Sequence, residues 1–245
     1  MNQNQYRHRF TAPGVPQYGG DSAHVRASAY ALLSSLYQDQ PDVSAVDRFS
    51  SLWRNFDNAL SGNCLGRRTL LTGSQFCAAW QSSDSRVSLQ LRREFALLFL
   101  SPRGVQPYES VYRGTRRRLM DDPWLQVREF YRKAGMQKGQ RELHPEDHAS
   151  VELGFMAYLA FMDSQCSAAA GKEEIRTEVA GTQLQFLEEH LIGWIPQLCR
   201  RIEAVPEAPY YHRVARFTSA LIEEDHERLV VSAKHTYSTC KGSSL

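Results

Sequence analysis

The sequence lacks the short motifs by which many enzymes are recognised. It contains no GxxxxGK[ST] phosphate loop, and no serine lies in a GxSxG nucleophile elbow. It also contains no CxxC pair, and its 5 cysteines are widely spaced, which argues against a disulfide framework or a structural zinc site and favours a reducing compartment. We therefore expect a protein that is not an enzyme, with no catalytic residue, no metal and no cofactor.

Long apolar runs and a strong net charge are missing as well. No apolar stretch approaches the ~20 residues that cross a bilayer. Arg7 and Arg9 are followed by prolines and glycines instead of the apolar segment of an export signal. The formal net charge is +2, so neither nucleic acid nor a membrane surface is indicated as a partner. A cytoplasmic protein without stable membrane insertion is expected.

The sequence has enough apolar residues to fold as one domain. With 42% hydrophobic and 11% aromatic residues, its 245 residues can bury a full core. Apolar residues recur at three- and four-residue spacing in almost every segment, and none alternates with a period of two. We predict an all-α, single-domain bundle of roughly eight to ten helices. The predicted division is a flexible tail over 1–20, a helical domain over 21–235 and a flexible tail over 236–245.

Local signals predict several helix boundaries. Three glycines over 61–73 predict a loop. Asp122 is expected to cap a helix that Gly135 ends. Pro145 is expected to start the next helix. Its segment 153–162 is apolar nearly all round, which predicts a position at the centre of the bundle.

The segment His144 to His148 (HPEDH) first invites comparison with a zinc hydrolase. The helical metalloprotease pattern needs histidines at i and i+4 of one helix, with a glutamate directly after the first. Here Pro145 takes that place and pushes His144 out of helical conformation, so the two histidine rings are not expected to share a face. A metal-assisted hydrolase using His144 and His148 is therefore the least favoured function.

The acids of this segment have two further interpretations. Asp147 and His148 are predicted in the first turn of the helix, where free amides and the helix dipole favour a carboxylate, and Glu152 lies one turn further. The simpler interpretation is a capped helix start with an i,i+4 pair. In the other, these acids form an electronegative rim with Glu142 and Glu146 that holds arginines of a bound peptide.

The segment PYESVY is a second candidate for peptide binding. Tyr108 and Tyr112 offer rigid amphipathic surface, and Glu109 adds an acid between them. Packing of one tyrosine into the core is the alternative. Residues that could line the same groove are Leu98, Phe99 and Pro107.

Four arginines form the only basic run of the sequence, at positions 113, 116, 117 and 118. On the helix predicted there, these side chains would spread around the axis instead of lining one face. A solvated surface is therefore favoured over nucleic-acid binding.

Taken in order, these segments resemble a known family. The chain reads ALLSSLY at 31–37, PYESVY at 107–112, PEDH at 145–148, ELGFM at 152–156 and HLIGWIP at 190–196. This ordered set resembles the TorD/DmsD/NarJ-type cytoplasmic chaperones of molybdenum oxidoreductases. The resemblance implies an all-helical fold. It also implies binding of the twin-arginine signal peptide, and sometimes the body, of a molybdopterin-containing catalytic subunit, which is held for cofactor insertion before export.

The resemblance further implies which residues recognise the peptide. Asp147 and His148 match the acid and histidine of the family's P-x-D-H motif. The full predicted site comprises Asp147, His148, Glu109, Tyr108, Tyr112, Leu98, Phe99, Pro107 and Glu152. One departure is His144, which stands where the family often has a glutamate. A monomer is expected, with a domain-swapped dimer as the alternative. The rival function is a helical adaptor that binds a folded partner enzyme without its signal peptide.

Overall fold

The computed structural model confirms the all-α prediction over the residues that it describes. These residues are 8–10, 22–39, 44, 46–47, 49–51, 53, 65–79, 85–139, 143–167 and 171–242. Within them the regular elements are helices, apart from two strands of three residues each.

Four helices and one wider turn have described bounds in the first half of the chain, and the described residues 44, 46–47, 49–51 and 53 are helical as well. The helices are α1 (Ser22–Gln38), α2 (Arg67–Ala79), α3 (Ser85–Phe95) and α4 (Glu109–Arg113). A π-helical turn, Ala96–Leu100, continues α3. The strand β1 (His8–Phe10) precedes all of them.

The second half contains the longer helices. They are α5 (Asp122–Lys133), α6 (Ala149–Ser167), α7 (Glu173–Phe186), α8 (Ile195–Glu203) and α9 (Pro209–Gly242). A second π-helical turn, Leu187–Leu191, continues α7. The strand β2 (Met136–Lys138) follows α5.

Helix α6 lies at the centre of the bundle, as its apolar sequence predicts. Its buried residues point in every direction around the axis, from Ala149 to Cys166. Helix α1 packs along it, and α7 packs against it from another side. Each fully buried aliphatic side chain contributes about 1.5–3 kcal/mol to the stability. The continuous apolar surface of α6 therefore anchors the fold.

Helix α2 contradicts the predicted loop over 61–73, because it begins at Arg67. A distant carboxylate explains the early start. Glu224 of α9 accepts hydrogen bonds from the backbone N–H groups of Arg68 (2.9 Å) and Thr69 (2.8 Å). These are amides that a helix start leaves without an internal partner. The capping residue thus comes from another helix, where local sequence signals cannot show it.

Gly73 is buried inside α2 and does not end it. A Cβ at this position would lie 2.3 Å from the ring of Trp53. That ring packs against Phe49 and Phe217, with centroid distances of 5.3 Å in both cases. The glycine therefore allows close packing between the helix and an aromatic cluster.

Gly73→Ala is expected to destabilise the protein by about 1–3 kcal/mol, because the new methyl group overpacks the Trp53 site. The matched control is Gly181→Ala in α7, where a Cβ meets nothing within 4 Å. That change should stabilise by about 0.5–1 kcal/mol, since alanine is the better helix former. Urea unfolding of both variants measures the difference. Equal effects at the two positions would contradict the packing role of Gly73.

The boundaries of α5 agree with the sequence to within one residue. Its N-cap residue is Asp121, one residue before the predicted cap Asp122. The carboxylate of Asp121 is bound by Arg116 instead of capping the helix. Gly135 has a φ of 70°, which L-residues with side chains rarely adopt, and it follows the last turn as predicted.

Two short strands were not predicted. β1 pairs with β2 in parallel, with His8 opposite Met136 and Phe10 opposite Lys138. Part of this pair thus lies within residues 1–20, of which the structure describes only 8–10. Three residues per strand give too little alternation to recognise in a sequence.

Of the basic run, Arg113 lies on a helix and the other three arginines do not, contrary to the prediction of one helix for all four. Helix α4 ends at Arg113, and the backbone then turns through left-handed residues, with a φ of 49° at Arg117 and 55° at Met120. Arg116, Arg117 and Arg118 therefore point in directions set by a turn. No helix in the described part of the chain is long and apolar enough to span a bilayer.

Candidate functional site

Two of the segments singled out by sequence are joined through their backbones. The N–H of Glu109 donates to the carbonyl of Asp147 (2.9 Å), and the N–H of Ala149 donates to the carbonyl of Pro107 (2.9 Å). These bonds place Tyr108 opposite His148 in an antiparallel bridge. The predicted helix start at Pro145 is therefore wrong, because residues 145–148 form a turn that the N–H of His148 closes by donating to the carbonyl of Pro145 (3.1 Å), and α6 begins only at Ala149.

The side chain of Asp147 fixes the start of α4. It is fully buried and accepts hydrogen bonds from both the backbone N–H (3.1 Å) and the hydroxyl of Ser110. The hydroxyl oxygen of Ser110 in turn accepts from the N–H of Asp121 (3.2 Å). Burial raises the pKa of Asp147, and its bonds with Ser110 oppose that rise. Asp147 thus acts as a helix cap supplied by a distant segment.

His148 is held as a neutral ring. Its Nδ1 faces the backbone N–H (3.2 Å) and the hydroxyl (2.7 Å) of Ser150. Burial, together with the neighbouring His144, moves the pKa of His148 well below its ordinary value. A neutral ring with its proton on Nε2 accepts both bonds from Ser150. Tyr108 packs edge-on against this ring, with centroids 4.8 Å apart.

The rings of His144 and His148 contradict the prediction that they would not share a face. They are stacked in parallel, with centroids 3.9 Å apart and an angle of 7° between the planes. The turn over residues 145–148 brings the two rings together, whereas the prediction placed His148 in a helix that begins at Pro145. The Nε2 of His144 is hydrogen-bonded to the carbonyl of Gln38 (2.7 Å). Within the described ranges, no group of three His, Cys, Asp or Glu side chains could hold a metal ion.

Two buried carboxyl groups, those of Glu109 on α4 and Glu152 on α6, lie close together. Glu109 bonds to Nδ1 of His190 (3.0 Å) and accepts from Arg113. Glu152 accepts a hydrogen bond from Nε1 of Trp194 (3.0 Å). Burial, and then the proximity of Glu109, raises the pKa of Glu152 well above its ordinary value. This direction of shift is expected of two buried carboxyl groups that lie close together, because each disfavours the charged form of the other.

The third segment, HLIGWIP, supplies the remaining side chains of a buried cluster. We define this cluster as Glu109, Tyr112, Asp147, His148, Glu152, His190 and Trp194. His190 lies on the π-helical turn Leu187–Leu191, and Trp194 follows it. The indole of Trp194 packs against Tyr112 (5.4 Å between centroids), and Arg201 lies over the tyrosine ring at 4.7 Å. Burial raises the pKa of Tyr112 to about 12. His190 and Trp194 were not predicted as site residues, although their motif was recognised.

The predicted electronegative rim is not a surface feature. Glu109, Asp147 and Glu152 are 0% exposed and His148 is 2% exposed. Donors inside the fold pair with these groups, which the sequence could not show. Glu146 is half-buried and accepts a bond from Nε1 of Trp124 (2.7 Å). Glu142, the remaining acid of the predicted rim, lies outside the described residues.

The predicted groove residues divide between core and surface. Leu98, Pro107 and Tyr112 are buried. Phe99 is half-buried and packs with core rings such as Phe95 (5.2 Å). Tyr108 is half-buried as well. These residues therefore do not line one open groove in this conformation.

An open cavity lies beside the cluster, between α5 and the turn Leu187–Leu191. Its volume is 500 Å³. Leu125 and Phe130 of α5 give it apolar surface, and Glu189 adds an exposed carboxylate. Glu129 also lies in the wall, where it is half-buried and accepts two hydrogen bonds from Arg132 (2.7 and 2.6 Å). His190 and Arg113 are also part of its wall.

Arg113 connects the cavity to the buried acids. Its guanidinium donates to the carboxylate of Glu109 and to the backbone carbonyl of Glu189. The side chain is 34% exposed, whereas that of Glu109 is not exposed at all. A Cβ at Gly193 would lie 3.1 Å from both Cδ and Nε of Arg113, so the glycine leaves room for this side chain.

Comparisons with known proteins agree on one family. The family model described as nitrate reductase delta subunit matches residues 54–200, which include all the clustered side chains. The chaperone protein TorD of Vibrio vulnificus (strain YJ016) is 27% identical over 210 residues, covering 84% of this chain and 94% of the relative. TorD of Vibrio cholerae serotype O1 (strain ATCC 39315 / El Tor Inaba N16961) is 29% identical over 205 residues, covering 82% and 90%. TorD of Photobacterium profundum is 32% identical over 125 residues, covering 50% and 56%.

Proposed function

Because the chain belongs to the nitrate reductase delta subunit family, we propose that it is a cytoplasmic maturation chaperone that binds the twin-arginine signal peptide of a molybdopterin oxidoreductase catalytic subunit. It holds that subunit until its cofactor is inserted and then releases it for export. Relatives that match most of the chain are named chaperones, which supports a binding role over catalysis.

The observation that carries this proposal is the meeting of three segments beside one cavity. Asp147 joins residues 145–148 to the start of α4. Glu109 and Glu152 then connect both segments to His190 and Trp194. Residues far apart in sequence thus support a single surface.

The cavity suits the chemistry of such a peptide. A twin-arginine signal presents two cations followed by an apolar segment. Glu189 offers an exposed carboxylate, and Leu125 is 54% exposed. Glu129 contributes its carboxylate if a peptide arginine replaces its present partner, Arg132. Guanidinium groups pair well with carboxylates, and apolar grooves between helices commonly bind peptides.

The buried site residues have a supporting role in this proposal. Asp147, His148 and Glu152 hold the segments that border the cavity, while Glu109 reaches it through Arg113. Half-buried Tyr108 remains a candidate for direct contact with the peptide. A cluster that is hydrogen-bonded internally keeps such a surface rigid and so reduces the ordering cost of binding.

Titration calorimetry of the full chain with the twin-arginine leader of a molybdopterin oxidoreductase tests the proposal. We expect a Kd of about 1 μM, equivalent to about −8 kcal/mol. The matched control is the same peptide with both arginines replaced by lysines. It should bind roughly tenfold more weakly, because lysine cannot form bidentate pairs with carboxylates.

Absence of binding to either peptide would refute signal-peptide recognition. A pull-down with the complete oxidoreductase, with and without its leader, then identifies the rival function. Capture that does not depend on the leader is the result expected of an adaptor for the folded enzyme. Equal affinity for the arginine and lysine peptides would show that the carboxylates do not select guanidinium groups.

A further inference from the structure

Glu109 already holds an arginine. The guanidinium of Arg113 contacts its carboxylate, and the other side of the carboxylate faces His190 at 3.0 Å. Both carboxylate oxygens therefore have partners inside the protein. An arginine from a peptide could bind Glu109 only after Arg113 has left.

Arg113 is placed so that it can leave. Its side chain is 34% exposed and borders the 500 Å³ cavity, and its second partner is a backbone carbonyl, that of Glu189. Helix α4, which carries it, ends at this residue. The side chain can thus turn into solvent without disturbing a helix that continues beyond it.

The surroundings of the guanidinium fit any arginine, whichever chain it belongs to. Glu109 provides a carboxylate, and Glu189 provides a backbone carbonyl oxygen beside it. Phe130, which is 8% exposed, and His190 provide flat rings at the wall of the cavity. Guanidinium groups favour such combinations of carboxylate and aromatic surface.

The geometry points to an arginine subsite at Glu109, which Arg113 occupies in the free protein and which one arginine of the bound peptide takes over. This inference rests on the proposed function and names the subsite and its internal competitor. The exchange replaces one guanidinium by another, so the carboxylate is not left unpaired in either state.

A direct consequence is that Arg113 weakens the binding of the peptide. Since a tethered group competes at high effective concentration, its removal should raise the affinity for a twin-arginine peptide about tenfold. The same removal should destabilise the free protein, because Glu109 is buried and loses its partner.

The first test measures the subsite without any peptide. The melting temperature of Arg113→Ala is recorded with and without methylguanidinium, and methylammonium serves as the control ion. We expect methylguanidinium to raise the melting temperature of this variant by roughly 2–4 °C, which corresponds to about 1 kcal/mol. The wild-type protein, in which the subsite is filled, should show no such gain. Absence of rescue, or rescue by both ions alike, would overturn the inference.

The second test measures the exchange. Calorimetry compares the twin-arginine peptide on wild type, Arg113→Ala and Arg113→Lys, with Arg200→Ala as the control at an exposed position of α8. The expected order of affinity is Ala, then Lys, then wild type, with Arg200→Ala equal to wild type. Unchanged or weaker binding by Arg113→Ala, in a sample that methylguanidinium stabilises, would refute displacement by the peptide. If wild type binds no leader while methylguanidinium rescue is observed, signal-peptide binding fails independently of the subsite.

Discussion

Arg26→Ala is expected to lower the free energy of unfolding by about 3–5 kcal/mol, because two buried carboxylates lose the buried cation that they share. Arg26 is 1% exposed and holds Asp225 at 2.8 Å and Asp163 at 3.3 Å. It also donates to Gln183 of α7. One guanidinium thus connects α1 to three other helices, and its loss should lower the melting temperature by roughly 6–20 °C.

The difference in unfolding free energy between wild type and Arg26→Ala should depend on pH. Burial alone would raise the pKa of Asp225, but Arg26 and Arg228 outweigh it and hold the pKa below its ordinary value. In wild type, the stability that the ionised Asp225 contributes is fully present above its unfolded pKa of about 3.9, and it is lost as the pH falls through the folded pKa. Without Arg26, Asp225 contributes less stability in its ionised form.

Urea unfolding of both proteins between pH 4 and 8 measures this dependence. The loss of stability should be largest near neutral pH and smaller near pH 4, where protonation begins to neutralise Asp225, which keeps Arg228 as a charged partner. Arg200→Ala should track wild type throughout, because Arg200 is exposed on α8. A deficit that does not change with pH would mean that lost packing, and not lost charge pairing, dominates.

The helices themselves follow from the sequence, whereas some of their ends do not. The centre of α6 was predictable because its residues are apolar on every side. The start of α2 was not, since its first amides are capped by Glu224 from α9 and Gly73 serves the packing of Trp53. Rules that use neighbouring residues predict a turn at a glycine. Trp53, whose ring packs against Gly73, lies outside the stretch of sequence that such rules consider.

The candidate site was predictable in composition but not in exposure. The sequence singled out the residues around Glu109 and those around Asp147, and the structure joins them by backbone hydrogen bonds. The buried carboxyl groups of Asp147 and Glu152 are bound by the donors Ser110 and Trp194. The sequence does not show that these donors pair with the acids. Arg113 lies four residues after Glu109, and this i,i+4 spacing is the sequence signal for their ion pair. The spacing does not show that Glu109 is buried, so Arg113 was interpreted as part of a solvated basic run.

Asp147→Ala is expected to destabilise the protein by about 2–4 kcal/mol, since the N–H and the hydroxyl of Ser110 both lose their acceptor. The whole of α6 should remain helical, because its packing does not depend on this carboxylate. Faster hydrogen exchange at the Ser110 amide, together with a lower urea midpoint, measures the effect. An unchanged exchange rate at that amide would remove Asp147 from its capping role.

Asp147→Asn separates support from direct recognition. The amide oxygen of asparagine can still accept from Ser110, so this variant should retain most of the stability that Asp147→Ala loses. If Asp147 only positions the segment that carries Glu109, Asn should keep the wild-type affinity for a twin-arginine peptide while Ala reduces it. If the charge of Asp147 itself contacts an arginine, Asn should lose affinity as fully as Ala although it remains folded. Because Asp147 is 0% exposed, we expect the first result, and calorimetry of both variants distinguishes the two roles.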